Sequence, residues 1–207
     1  MTDVDHLVYA VPDLDAAVAE LADRLGVRPA AGGSHPGVGT RNALLSLGDG
    51  AYLEVIGPDP AQPTPARRWL GIGALATPRL ATWAAKAPDI EARVQRARAA
   101  GYDPGPAVPA SRRLPDGSLL EWRFAIHPEP AGDGLVPFLI DWGATDRHPA
   151  RTSPAGCRLI SLRAEHPRPA EITPMLTALG ASLDVEYAQA PALVASIETP
   201  RGVVELR

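Results

Sequence analysis

The sequence has one cysteine, Cys157, in 207 residues, so no internal disulfide can form and a reducing, cytoplasmic setting is expected. Long apolar runs are missing as well. "VPFLI" is typical of the longest, far below the roughly 20 residues that a membrane-spanning helix needs. The opening "MTDVDHLVYAV" carries no basic segment followed by a long apolar stretch, so no signal peptide is expected. Charge of one sign is scarce: a net charge of −4 with scattered basic residues leaves no footprint for nucleic acid. No glycine-rich loop follows a strand and opens a helix, which leaves a nucleotide site without support.

What is present fits a soluble globular chain, with 45% apolar and 21% charged residues. The 23 prolines and 19 glycines imply many short elements joined by tight turns. Cys157 follows Gly156 at the head of an apolar run and reads as a buried structural thiol rather than a nucleophile.

The chain also repeats itself. "HLVYAVPDLDAAVAEL" from His6 aligns without gaps with "TWAAKAPDIEARVQRA" from Thr82. Each block reads as an apolar strand, a Pro-Asp corner and an amphipathic helix, with Asp13 and Asp89 placed as N-caps. Leu14, Val18, Leu21 and Leu25 recur at helical spacing before Gly26, and Ile90, Val94 and Ala97 do so before Gly101. A looser third copy pairs "CRLISLRAEHP" with a short helix expected to start at Pro174, capped by Thr173. Three strand candidates follow each helix. The expected organisation is α+β, three βαβββ modules over 1–57, 80–143 and 155–207, with a Pro-rich linker over 58–79.

A βαβββ repeat that begins "DHLVYAVPDLDAAV", closes on "DGAYLEVI" and contains "GGSHPGVGTRN" resembles the vicinal oxygen chelate superfamily. Within it, the closer likeness is to the glyoxalase-like branch (the glyoxalase, bleomycin resistance and dioxygenase fold). The resemblance is strongest over 3–57, moderate over 80–143 and weak over 155–207. It implies a cup-shaped, partly open β-barrel with helices outside. Modules one and two are expected to build the cup, with module three alongside or pairing with another subunit. The alternative pairing of modules one and three would bring Glu205 and Arg158 toward the site. A homodimer is implied by the same analogy. In that superfamily the end strands of each module supply metal ligands, and by position these fall on His6 and Glu54. The corresponding positions of module two are Thr82 and Ile140, and those of module three are Arg158 and Glu205, so a full four-ligand set is not encoded.

The residues support a site in their own right. His6 shares a strand face with Val8 and Ala10, and Glu54 shares one with Tyr52 and Ile56. A buried carboxylate without a partner is costly, so Glu54 needs a cation, a metal or a proton. His6, Glu54 and His35 together would suit a divalent Zn, Mn, Ni or Fe(II), with open positions for substrate oxygens. The alternative is that His6 and Glu54 bond each other or a water while His35 lines a pocket without metal. Thr40 and Asn42 fall on one face of an extended chain, and Asn42 offers both donor and acceptor to a carbonyl or carboxylate. Tyr52, Phe138 and Trp142 are candidate pocket walls or simple core. His127, His148 and His166 each precede a proline at a strand end and read as surface turns. Two functions fit. One is an enzyme, a lyase, isomerase or dioxygenase centred on His6 and Glu54, acting on a small oxygenated molecule held by His35, Thr40, Asn42, Tyr52 and Trp142. The other is a non-catalytic protein that binds and sequesters such a molecule.

Overall fold

The computed structural model describes residues 4–62, 69–113, 119–127 and 129–207. The first unit runs β1 (Val4–Ala10), α1 (Leu14–Leu25), β2 (Ala30–His35), β3 (Thr40–Ser46) and β4 (Tyr52–Pro58). The second runs β5 (Arg79–Lys86), α2 (Ile90–Ala99), β6 (Val108–Arg113), β7 (Leu119–Ala125) and β8 (Phe138–Asp141). Their strands form one curled eight-stranded sheet in the order β2-β3-β4-β1-β5-β8-β7-β6. The antiparallel β1–β5 pair joins the two halves. Within each half the first and last strands lie side by side and parallel, β1 with β4 and β5 with β8. Of the linker, residues 63–68 lie outside the described residues, and Trp69–Ala74 form a 3-10 turn.

Strand alternation sorts the side chains onto two faces. Leu7, Tyr9, Leu53, Val55, Trp83 and Leu139 point to the helices and share one large core with the buried faces of α1 and α2. Val8, Ala10, Ile56, Ala84, Phe138 and Ile140 point to the concave side, where Ile72 of the 3-10 turn packs over them. The polar residues of interest sit on this inner face. Asp13 caps α1 as its sequence position implies, accepting from the Ala16 N–H at 3.1 Å. Asp89 does not. It adopts a left-handed conformation with φ 60° and makes no side-chain capping bond, a conformation that Asp tolerates better than most residues.

After α3 (Pro149–Thr152), the C-terminal unit runs β9 (Arg158–His166), α4 (Pro169–Leu179), β10 (Asp184–Tyr187), β11 (Ala192–Thr199) and β12 (Gly202–Leu206). It repeats the element order of the first two units but not their strand order, because its sheet runs β10-β9-β11-β12. Helix α4 starts at Pro169, one turn earlier than expected, and carries Pro174 inside it. Pro169 takes the first-turn position where a missing N–H costs nothing, and burial of Ile172, Leu176 and Leu179 holds the helix through Pro174. Arg158 and Glu205 lie on this second sheet, paired with Glu198 and Arg207 respectively, as part of a charged outer network. Cys157 is buried, and that burial pushes its thiol pKa up, as suits a structural role.

Candidate active site on the concave face

The "GGSHPGVGTRN" stretch forms the β2–β3 hairpin, with His35 opposite Thr40 in the ladder. Its tip, His35-Pro36-Gly37-Val38, closes with a Val38 N–H to His35 carbonyl bond of 3.1 Å, and Gly37 supplies φ 77°. Pro at the second place and a positive φ at the third are the marks of a type II turn. Further back, the pairing slips by one residue between Ala31 and Gly33, so Gly32 is the extra residue of a β-bulge. A side chain at Gly32 would place its Cβ 2.3 Å from the Asn42 Oδ1. Glycine is therefore what lets the Asn42 amide fold back against β2.

That amide is fully used. Its Oδ1 accepts from the Gly33 N–H at 2.9 Å. Its Nδ2 donates to Glu54 Oε1 at 2.6 Å and faces His35 Nε2 at 3.3 Å. With Nε2 accepting from Asn42, His35 Nδ1 carries the proton toward Thr40 Oγ1, 2.9 Å away. Thr40, Asn42 and Glu54 are all buried, and the His35 side chain, 25% exposed, stands at the rim. Arg41, one residue out of phase, points to the helix side and binds Asp15 at 2.8 Å.

Across the face, His6 Nε2 lies 3.8 Å from Glu54 Oε2, too far for a hydrogen bond. Tyr52 stacks on the His6 ring with centroids 4.5 Å apart, and Phe138 meets it edge-on at 5.4 Å. His6 Nδ1 instead binds Asp5 Oδ1 at 2.7 Å. Asp5 was not a sequence candidate. By alternation it should face the helices, but β1 slips against β5 between Val4 and His6, which makes Asp5 the extra residue of a second bulge. Its carboxylate, 1% exposed, also accepts from Trp142 Nε1 at 3.2 Å and from His148 Nε2 at 3.0 Å. Burial alone would raise the Asp5 pKa, but the His148 and His6 hydrogen bonds outweigh it and hold the group well below the usual carboxylate range.

The structure therefore brings together His6, His35, Thr40, Asn42 and Glu54, with Tyr52 packed on His6 and Trp142 joined to Asp5. His148 is not a surface turn, because it is held at Asp5, and His166 is buried with Nε2 3.1 Å from Asp133. His127 is exposed. Cavities among the described residues lie elsewhere, for example one between α1 and the β2–β3 hairpin that reaches Gly33 and Asn42 and another between α2 and α4.

A divalent metal is implied by the superfamily likeness, and the donor set does not fit one as a resident ion. His6 Nε2 and Glu54 Oε2 converge, and the Asp5 bond would suit a ligating imidazole. The third donor fails, because the His35 Nε2 lone pair is taken by Asn42. On the module-two side the inner face offers Thr82 and Ile140, neither of them a ligand type for such ions. Among the described residues, no three His, Cys, Asp or Glu side chains are grouped to hold a metal ion.

The fold has known relatives. The family model described as a glyoxalase-like domain matches residues 4–180. No curated protein matches the chain in sequence. Among solved structures, a hypothetical protein from Staphylococcus aureus superposes with a TM-score of 0.70 at 13% identity, over 99% of this chain and 98% of that one. Methylmalonyl-CoA epimerase from Mycobacterium tuberculosis gives a TM-score of 0.47 at 26% identity, over 69% of this chain and 89% of that one. A hypothetical protein from Bacillus halodurans C-125 gives 0.47 at 17% identity, over 69% and 95%.

Proposed function

Since this chain belongs to the glyoxalase-like domain family of the vicinal oxygen chelate superfamily, we propose that its cup binds a small carbonyl or carboxylate compound and moves a proton on it. The observation that carries this reading is the pair His6 Nε2 and Glu54 Oε2, 3.8 Å apart and each held by a partner of its own. They do not quench each other in a hydrogen bond. A substrate atom between them can sit at about 3 Å from both, the reach that general acid–base transfer needs. One group, in its basic form, would take a proton from a carbon next to a carbonyl. The other, entering protonated, would deliver its own proton at the same or a neighbouring position, leaving the pair with their protonation states exchanged. That is isomerase or lyase chemistry. At the rim the His35 ring would line the substrate's path, while Asn42 and Thr40, whose hydrogen bonds go to Glu54 and His35, would hold those two side chains in place. Trp142 and Phe138, on the apolar inner wall, would receive the apolar part of the molecule. A dioxygenase needs three protein ligands for its iron, and this donor set supports that reading less well.

The second reading, binding without turnover, draws support from the enclosure of the pair: His6 is 3% and Glu54 8% exposed. One experiment separates the two. The protein is incubated in D2O with a panel of 2-oxo and 3-oxo carboxylic acids while proton NMR follows the hydrogens next to each carbonyl. Catalysed deuterium uptake, lost in Glu54→Gln and in His6→Gln, is the expected result. Binding to a panel member without any uptake would move the conclusion to sequestration, and neither binding nor uptake would refute both readings.

A further inference from the structure

We propose that Asp5 is the positioning residue of this site: clamped by His148 and Trp142, its carboxylate fixes His6 with the proton on Nδ1 and Nε2 bare toward Glu54. The inference rests on the reading of His6 as a proton carrier, and it assigns to a residue outside the cup's ligand-lining set the task of deciding which nitrogen does the work.

Donors and acceptors fix the assignment. An ionised carboxylate has no proton to give, so each nitrogen within bonding distance of Asp5 must be the donor. His6 Nδ1 at 2.7 Å and Trp142 Nε1 at 3.2 Å converge on Oδ1, and His148 Nε2 at 3.0 Å meets Oδ2. Two unconditional donors converge on Asp5, Trp142 Nε1–H on Oδ1 and His148 Nε2–H on Oδ2, so both oxygens act as acceptors, as those of a carboxylate do. The tautomer of His148 follows independently, because its Nδ1 accepts the Ala150 N–H at 3.1 Å and Nε2 must then carry the hydrogen. His148 is itself anchored. It precedes α3, whose Ala150 carbonyl accepts from Ser46 Oγ at 2.7 Å, while the Ser46 N–H donates to the Pro154 carbonyl at 2.9 Å. The clamp is thus tied back to β3, the strand that carries Asn42. The His6 ring cannot swing away to seek another partner, because Tyr52 lies flat against it and Phe138 closes its edge. With Nδ1 committed, a neutral His6 presents only a lone pair at Nε2, which is what a base facing a substrate carbon requires.

The test uses the full chain with 15N-labelled histidine and long-range proton–nitrogen correlation spectra, recorded at alkaline pH. His6 is expected to show a pyrrole-like Nδ1 and a pyridine-like Nε2. In Asp5→Ala, checked for folding by near-UV circular dichroism, the Nδ1 signal is expected to move toward the pyridine-like range as both tautomers become populated. A wild-type His6 protonated on Nε2, or an Asp5→Ala variant that keeps the Nδ1–H pattern, would overturn the proposal. Where Asp5→Ala does not fold, the wild-type spectrum decides alone. These spectra read the imidazole whether or not any substrate is turned over. A negative deuterium-uptake experiment therefore counts against the catalytic reading and leaves the Asp5 assignment to be judged separately.

Discussion

Adding one methyl group at Gly32 should dismantle the Glu54 side of the site from behind. The alanine Cβ would stand 2.3 Å from the Asn42 Oδ1 and 3.0 Å from the Leu44 Cγ, and both of these neighbours sit in a packed strand. The only relief is for the Asn42 side chain to leave its place. It would then lose the Gly33 N–H bond of 2.9 Å and the bond to Glu54 of 2.6 Å. A neutral hydrogen bond contributes about 1 kcal/mol and one to a charged group about 1.5–3 kcal/mol, so the loss comes to roughly 2.5–4 kcal/mol. Asn42→Ala removes the same two bonds and should cost a similar amount. The double variant should cost only modestly more than Asn42→Ala by itself, because the Asn42 amide is gone and only the lighter contact with the Leu44 Cγ remains. The coupling energy is therefore expected near ~3 kcal/mol, far outside the ~0.5 kcal/mol scatter of independent sites. Urea unfolding of the four proteins, followed by circular dichroism, measures it. Additive costs, or a Gly32→Ala variant as stable as the wild type, would refute the claim that glycine at this bulge exists to seat the Asn42 amide.

Two further outcomes follow from the same geometry. Asp5 has a native pKa below its unfolded value of about 3.9, so its stabilising contribution is complete above that value. As pH falls below about 4 the unfolded chain takes up a proton that the native state refuses, and the contribution is progressively lost. The stability gap between wild type and Asp5→Ala should thus narrow from about pH 4 to pH 2 in urea titrations, since other carboxylates cancel in the difference. A gap that does not narrow would refute the ionised clamp. Metal analysis of protein prepared without a His-tag should find substoichiometric divalent metal, unchanged by His6→Ala. One equivalent per chain, lost in that variant, would show that two converging side chains suffice where the donor set indicates they do not.

Much of the fold is legible in the residues because it rests on periodicity. The gapless match between the His6 and Thr82 blocks locates two strand–helix pairs, and both appear as β1–α1 and β5–α2. The inward set Val8, Ala10 and Ile56 follows from the two-residue pleat. What periodicity does not carry is pairing. The C-terminal unit has the β-α-β-β-β order, yet β10 lies beside β9 in parallel and β11 takes the other side of β9. Nothing in strand-like composition distinguishes that arrangement from the one in the first unit, because order in a sheet is decided by which edges meet in three dimensions. Pro174 misleads for a related reason: a missing N–H inside a helix is a local cost that the burial of Ile172 and Leu176 overrides.

The site divides along the same line. His6 and Glu54 are the two residues that the pleat places, and simple alternation finds both. The residues that hold them are placed where alternation breaks. At Asp5 one extra residue turns a side chain that should face the helices onto His6, and it leaves Val4 in the helix-side core while His6 faces the cup. At Gly32 one extra residue opens the space in which Asn42 reaches Glu54. The "GG" of the hairpin is legible as a turn signal, but its use is steric and depends on a partner further along the chain, on the next strand. "DH" at the start of β1 is legible only as two polar residues entering an apolar strand. A bulge costs a ladder hydrogen bond and re-aims a side chain, and here each of the two re-aimed or admitted groups grips one member of the 3.8 Å pair. Closing either bulge by deleting Asp5 or Gly32 would restore regular pairing and would therefore cost the site its geometry while sparing the sheet.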